Sequence, residues 1–99
     1  MSVTLYGITT CDTVRKARNW LDQHAVAYRF HDFRKDGLEP TRLGGWHDAL
    51  GWEAVLNRAG TSFRNLPEAE RADLDRGKAE RLILANPTLV KRPVLEAAG

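Results

Sequence analysis

The chain has 99 residues and a net charge of +2, one domain's worth of polypeptide with material for a single core. Hydrophobic residues make up 42% and charged residues 28%, a globular balance that excludes a chain disordered throughout. Lys and Arg are dispersed among Asp and Glu, which argues against nucleic-acid binding, and no apolar run approaches the roughly 18 residues of a membrane-spanning helix.

Val3 to Ile8 (VTLYGI) is a run of β-branched, aliphatic and aromatic residues broken only by Gly7, and it predicts a buried strand. Thr9-Thr10-Cys11-Asp12-Thr13 follows, rich in helix-capping residues. Val14, Ala17, Leu21 and Ala25 then recur at helical spacing, which predicts a first helix from Asp12 to His24. Val26 to Phe33 alternates apolar and polar residues and predicts a second strand, ended by the Asp36-Gly37 turn. Strand, helix and strand in this order favour a parallel pair with a right-handed crossover.

Pro40 marks the first turn of a second helix running to Leu50, with Gly44 and Gly45 inside it and Gly51 stopping it. Trp52 to Leu56 predicts a short helical turn, and Arg58 to Thr61 a loop. Further helices are expected at Pro67 to Asp75 and at Lys78 to Ala85, separated by Gly77 and closed by Asn86-Pro87. Leu89 to Leu95 returns to an extended pattern. Pro93 would delete a ladder hydrogen bond in a central strand and suits a strand's first residue.

The single cysteine excludes an internal disulfide. Residues 1–10 lack a charged start followed by an apolar stretch, so no secretory signal is expected. A cytoplasmic chain with a reduced thiol is the expectation. Placed where a helix opens, Cys11 faces unpaired N–H groups and the positive end of the helix dipole, which favour thiolate over thiol and can cradle an anion. Arg15 and Lys16 add positive charge, while the Asp12 side chain is expected to cap the helix. Inert burial is the common fate of a free cysteine, but Thr, Thr, Asp and Thr surround this one. Val14 stands where a Cys-x-x-Cys motif would hold its second thiol, so an external thiol must resolve any adduct on Cys11. A strand, a turn, a cysteine and a helix in that order resemble the active-thiol segment of thioredoxin-like proteins.

The stretch LYGITTCDTVRKARNWL (Leu5 to Leu21) resembles the opening of the ArsC/Spx/YffB family, and within it the YffB branch. YRFHDFRKDGL (Tyr28 to Leu38), GWEAVLN (Gly51 to Asn57) and KRPVL (Lys91 to Leu95) resemble that branch in the same order, so the similarity spans nearly the whole chain. The resemblance implies an α/β, thioredoxin-like fold with a helical insertion after the second strand. It implies a cis bond before Pro93, with Arg92 as the anion-facing arginine beside the reactive Cys11. Its further implication is a glutathione-dependent thiol/disulfide oxidoreductase, arsenate reductase-like. In that reading Cys11 and Arg92 are catalytic, and Thr10, Asp12, Thr13, Arg15, Lys16, Arg58 and Pro93 bind substrate or glutathione. Glutathione is the co-substrate, no cofactor is tightly bound, and glutaredoxin or a protein thiol is a further partner of a monomer.

Some positions depart from the family pattern. Gly7 replaces the histidine that arsenate reductases carry four residues before the cysteine, and a central arginine aligns with Asn57, beside Arg58. The family continues past KRPVL with another strand and a helix, so residues 1–99 are expected to form a single domain lacking both. The departures count against arsenate as the specific substrate. The alternative function is a non-enzymatic, Spx-like regulator binding RNA polymerase, although the redox pair of that type is removed by Val14.

The remaining polar residues have structural readings. His24, His31 and His47 lack metal-ligand spacing, so no metal site is expected. Trp20, Trp46 and Trp52 are expected to be partly buried. Arg29, Arg34 and Lys35 read as solvated turn chemistry, and Glu68 and Glu70 suit the first turn of a helix.

Overall fold

A computed structural model describes residues 2–98. The chain forms two compact units, one drawn from Met1–Gly37 and Arg92–Gly99, the other from Leu38–Lys91. In the first unit, strand β1 (Ser2–Gly7) leads through a polar turn to helix α1 (Asp12–Gln23), and strand β2 (Arg29–Asp32) follows. A single helical turn, α2 (Phe33–Asp36), closes this segment, and the chain returns to the unit as strand β3 (Val94–Ala98). The strands order as β2-β1-β3. β1 runs parallel to β2 and antiparallel to β3, with Leu5 opposite both Phe30 and Leu95.

Alternation along β1 sorts its side chains between two faces. Leu5 and Gly7 point toward α1, whose Val14 and Leu21 are buried and whose Arg18 guanidinium lies 4.3 Å from the Phe30 ring centre. Tyr6, on the other face, packs against His31 and Phe33, with ring centres 4.9 and 6.2 Å away. The Tyr6 hydroxyl donates to Glu96 Oε1 at 3.0 Å, so a side-chain bond joins the central strand to β3.

The second unit is helical: α3 (Pro40–Leu50), α4 (Trp52–Val55), α5 (Thr61–Arg64), α6 (Glu68–Arg71) and α7 (Arg76–Ala85), followed by a 3-10 turn over Pro87–Leu89. Its core includes Leu43, Val55, Leu56, Phe63, Ala79, Ile83, Leu89 and Val90. The Asn57 N–H donates to the Leu89 carbonyl at 2.8 Å and the Lys91 N–H to the Val55 carbonyl at 2.7 Å, which ties the segment after α4 to the segment after α7. Arg76 joins α7 to α3 through Asp48 (2.7 Å) and the Gly44 carbonyl (3.1 Å) while also meeting Glu80 (3.0 Å).

Several expected boundaries shift, each for a local reason. α1 ends one residue early at Gln23, and Ala25 takes a positive φ of 55°. The second strand is only Arg29–Asp32, because Asp32 caps α2 by accepting from the Arg34 N–H at 2.9 Å and draws Phe33 into the helical turn. The loop expected over Arg58 to Thr61 gives way at Thr61 to α5, anchored by buried Phe63. The helix expected over Pro67 to Asp75 is confined to Glu68–Arg71, and Asp73 has a φ of 51°. Gly77 does not separate helices. Asp75 caps α7 by accepting from the Lys78 N–H at 2.8 Å, which places Gly77 in the first turn. The extended run expected from Leu89 becomes a bridge between Val90 and Leu56 and then β3 from Val94, immediately after Pro93. Among the tryptophans Trp46 is buried, whereas Trp20 is 55% exposed and stacks on His24. Among the described residues no helix is long and apolar enough to cross a membrane.

Candidate active site around Cys11

Cys11 is the N-cap residue of α1, with extended backbone angles (φ −86°, ψ 124°). Its carbonyl accepts the first helical bond from the Arg15 N–H at 3.0 Å, and its own N–H donates to the Ile8 carbonyl at 3.3 Å. These two bonds hold the cysteine between the end of β1 and the opening of α1. The side chain is half-buried.

The surroundings lower the Cys11 pKa from its ordinary 9.0. Partial burial is the largest single influence and opposes ionisation, since a charge loses solvation there. The Val14 N–H, the Arg92 side chain, the Thr13 N–H and the charge of Arg92 act the other way and together outweigh it. Both amides face the sulfur from the first turn of α1, where the positive end of the helix dipole favours an anion in addition. The thiol is thus drawn toward thiolate by its own helix and by one arginine from the far end of the chain. A half-buried thiolate of this kind is accessible enough to act as a nucleophile toward an electrophilic sulfur.

Arg92 is half-buried at the entry to β3, and the Arg92–Pro93 peptide bond is cis, as the resemblance implied. Thr10, Asp12 and Thr13 flank the cysteine and are exposed. Asp12 does not cap the helix: its carboxylate pairs instead with the Arg15 guanidinium, and both side chains are well exposed. Lys16 is exposed on the same helix. Pro93 lies beside Leu5, Ala17, Trp20, Leu21 and Leu95, which together line an apolar groove. Arg58 belongs to the helical unit, where its guanidinium lies 5.8 Å from the Trp52 ring centre.

The histidines are engaged elsewhere. His31 Nε2 contacts the Gly37 carbonyl at 2.7 Å, His24 Nδ1 the Trp20 carbonyl at 2.8 Å, and buried His47 contacts Glu80 through Nδ1 at 3.2 Å. Among the described residues no three of His, Cys, Asp or Glu converge as metal ligands. Val14 reads from sequence as part of the apolar face of α1 and as an absent second thiol, and neither reading reaches its fit against Gly7. A lone glycine in a β-branched strand was the available signal, since it often marks a close approach.

The profile of the ArsC family matches residues 6–99. A solved structure of a YffB protein is 55% identical, with a TM-score of 0.95, covering 99% of this chain and 86% of that one. The solution structure of an arsenate reductase related protein from Brucella melitensis is 52% identical, with a TM-score of 0.82, covering 98% and 81%. Among curated proteins, an uncharacterized protein of Haemophilus influenzae is 41% identical over 98% of this chain and 85% of its own length. The global transcriptional regulator Spx of Listeria innocua is 30% identical over 94% and 72%. The fold shared with these structures is thioredoxin-like, and its helical insertion is the run from α2 to α7 between β2 and β3.

Proposed function

This chain belongs to the ArsC family, and from that premise we propose that it is a thiol/disulfide oxidoreductase that works through Cys11 alone and takes glutathione as co-substrate. The reading rests above all on the thiol's placement at the opening of α1, where the Val14 and Thr13 amides and Arg92 overcome the cost of partial burial. The Cys11 thiolate attacks the glutathionyl sulfur of a mixed disulfide, a new Cys11–glutathione disulfide forms, and the substrate sulfur departs as a thiolate. A second glutathione thiolate then attacks the glutathionyl sulfur of that adduct. Cys11 is released, and two glutathiones leave as their disulfide. The external thiol is required because Val14 stands where a resolving cysteine would be.

In this scheme Arg92 orients the anionic part of the substrate, with Thr10, Asp12, Thr13, Arg15, Lys16, Arg58 and Pro93 as the wider set to probe. The chain acts as a cytoplasmic monomer with no tightly bound cofactor, and glutaredoxin or a protein thiol can replace the second glutathione. The deciding experiment is turnover of a glutathionylated peptide, coupled to reduction of glutathione disulfide, by wild type and Cys11→Ser. Turnover confined to the wild type is expected; equal rates would sink the proposal. Arsenate, tried in the same assay, tests the oxyanion version of the chemistry.

The similarity to Spx favours a second reading, a regulator that binds RNA polymerase without using its thiol. Polymerase binding that survives Cys11→Ser, with no turnover in either protein, is the result that would select it.

A further inference from the structure

Gly7 ends β1 and is buried beneath the first turn of α1. A Cβ built on it would lie 2.5 Å from Val14 Cγ2 and 3.0 Å from Val14 Cγ1. These distances are too short for carbon atoms, whose optimal separation is about 3.5–4.0 Å. Val14 cannot easily give way. It is fully buried, and a β-branched side chain in a helix is held to one strongly preferred rotamer. A methyl at position 7 must therefore lift the opening turn of α1 away from the end of β1.

That turn carries Cys11, whereas Arg92 stands at the entry to β3, which pairs with β1. Lifting α1 moves the sulfur relative to Arg92, which lies on a different element, the segment that leads into β3. The Val14 and Thr13 amides travel with the sulfur, because all three belong to the same turn.

We propose that Gly7 is a positioning residue for Cys11: the absent side chain lets Val14 seat against β1, and the seating sets the distance between the Cys11 sulfur and Arg92. The inference rests on Cys11 being the working thiol, but it concerns the ionisation of that thiol and not the substrate.

The test follows thiolate absorbance against pH in wild type, Gly7→Ala, Val14→Ala, Arg92→Ala and the pairwise combinations. In folded Gly7→Ala the midpoint should rise by at least half the rise produced by Arg92→Ala. In the Gly7→Ala/Arg92→Ala pair the two rises should not add, because both act through one distance. Removing the Val14 methyls makes room for the added one, so Gly7→Ala/Val14→Ala should return to the midpoint of Val14→Ala. A folded Gly7→Ala with the wild-type midpoint overturns the proposal. Should Gly7→Ala not fold, the Gly7→Ala/Val14→Ala pair decides: a midpoint raised above that of Val14→Ala by as much as Arg92→Ala raises the wild type also overturns it. A shifted midpoint without glutathione turnover would defeat the proposed function and leave this inference standing.

Discussion

Replacing Tyr6 by Phe removes one oxygen from a ring that is 97% buried by its 3% exposure, and with it the 3.0 Å hydrogen bond to Glu96 Oε1. The ring and its contacts with His31 and Phe33 stay in place, so the packing contribution is retained. A hydrogen bond to a charged group contributes about 1.5–3 kcal/mol. Glu96 is only half-buried and can recover water on its freed oxygen, which brings the expected loss to about 1–1.5 kcal/mol. For a domain of this size that lowers Tm by about 4–12 °C, at about 4–8 °C per kcal/mol. The measurement is urea unfolding of wild type, Tyr6→Phe, Glu96→Ala and the double variant, with m held constant across the set. The cycle isolates the pair from other contacts that each residue makes, and a coupling of about 1 kcal/mol is expected. A coupling near zero would refute the claim that this bond helps fasten β3 to the central strand.

Two further outcomes are expected. Because the folded Cys11 pKa lies below the ordinary 9.0, the unfolded chain holds a proton that the folded chain has lost in the window between the two values. The stability of wild type relative to Cys11→Ser should therefore rise with pH through that window, level off above 9.0 and vanish below the folded pKa. Urea unfolding across that range checks it, and a difference that falls as pH rises contradicts it. Ile83→Ala, at a fully buried position of α7, should cost about 2–5 kcal/mol, read by urea unfolding and as lost amide protection within residues 38–91; a cost below about 1 kcal/mol would mean that the helical core closes over the gap.

The sequence disclosed those elements whose causes are local. α3 has the expected bounds because Pro40 suits a first helical turn and Gly51, at a φ of 84°, suits its end. Cys11 was placed correctly at the start of α1 because polar residues between an apolar strand and an amphipathic helix mark such a junction. Four residues are too few to display a 3.6-residue period, so α2 and α5 escape, whereas α4 is legible because Gly51 separates Trp52 to Leu56 from α3. Gly77 misled because its cost depends on position, and only the cap from Asp75 shows that it lies in the first turn of α7. Arg92 could not be reached from spacing at all. It comes near Cys11 only because β3 returns antiparallel to β1, and the resemblance to a family supplied what local patterns could not.

The two supports of the thiolate therefore differ in kind. The Val14 and Thr13 amides are built into the same turn as the sulfur and persist wherever α1 begins at Asp12. Arg92 acts across the fold, and its influence depends on two separations that the sheet controls from opposite faces. Gly7 sets the seating of α1 on the Leu5 face, and the Tyr6–Glu96 bond fastens β3 on the other. Loosening either separation should raise the thiol midpoint only as far as removal of Arg92 does, because the local amides remain. The turn that holds the sulfur and an arginine more than eighty residues away in sequence thus act on the same thiol, and both oppose the cost of its partial burial.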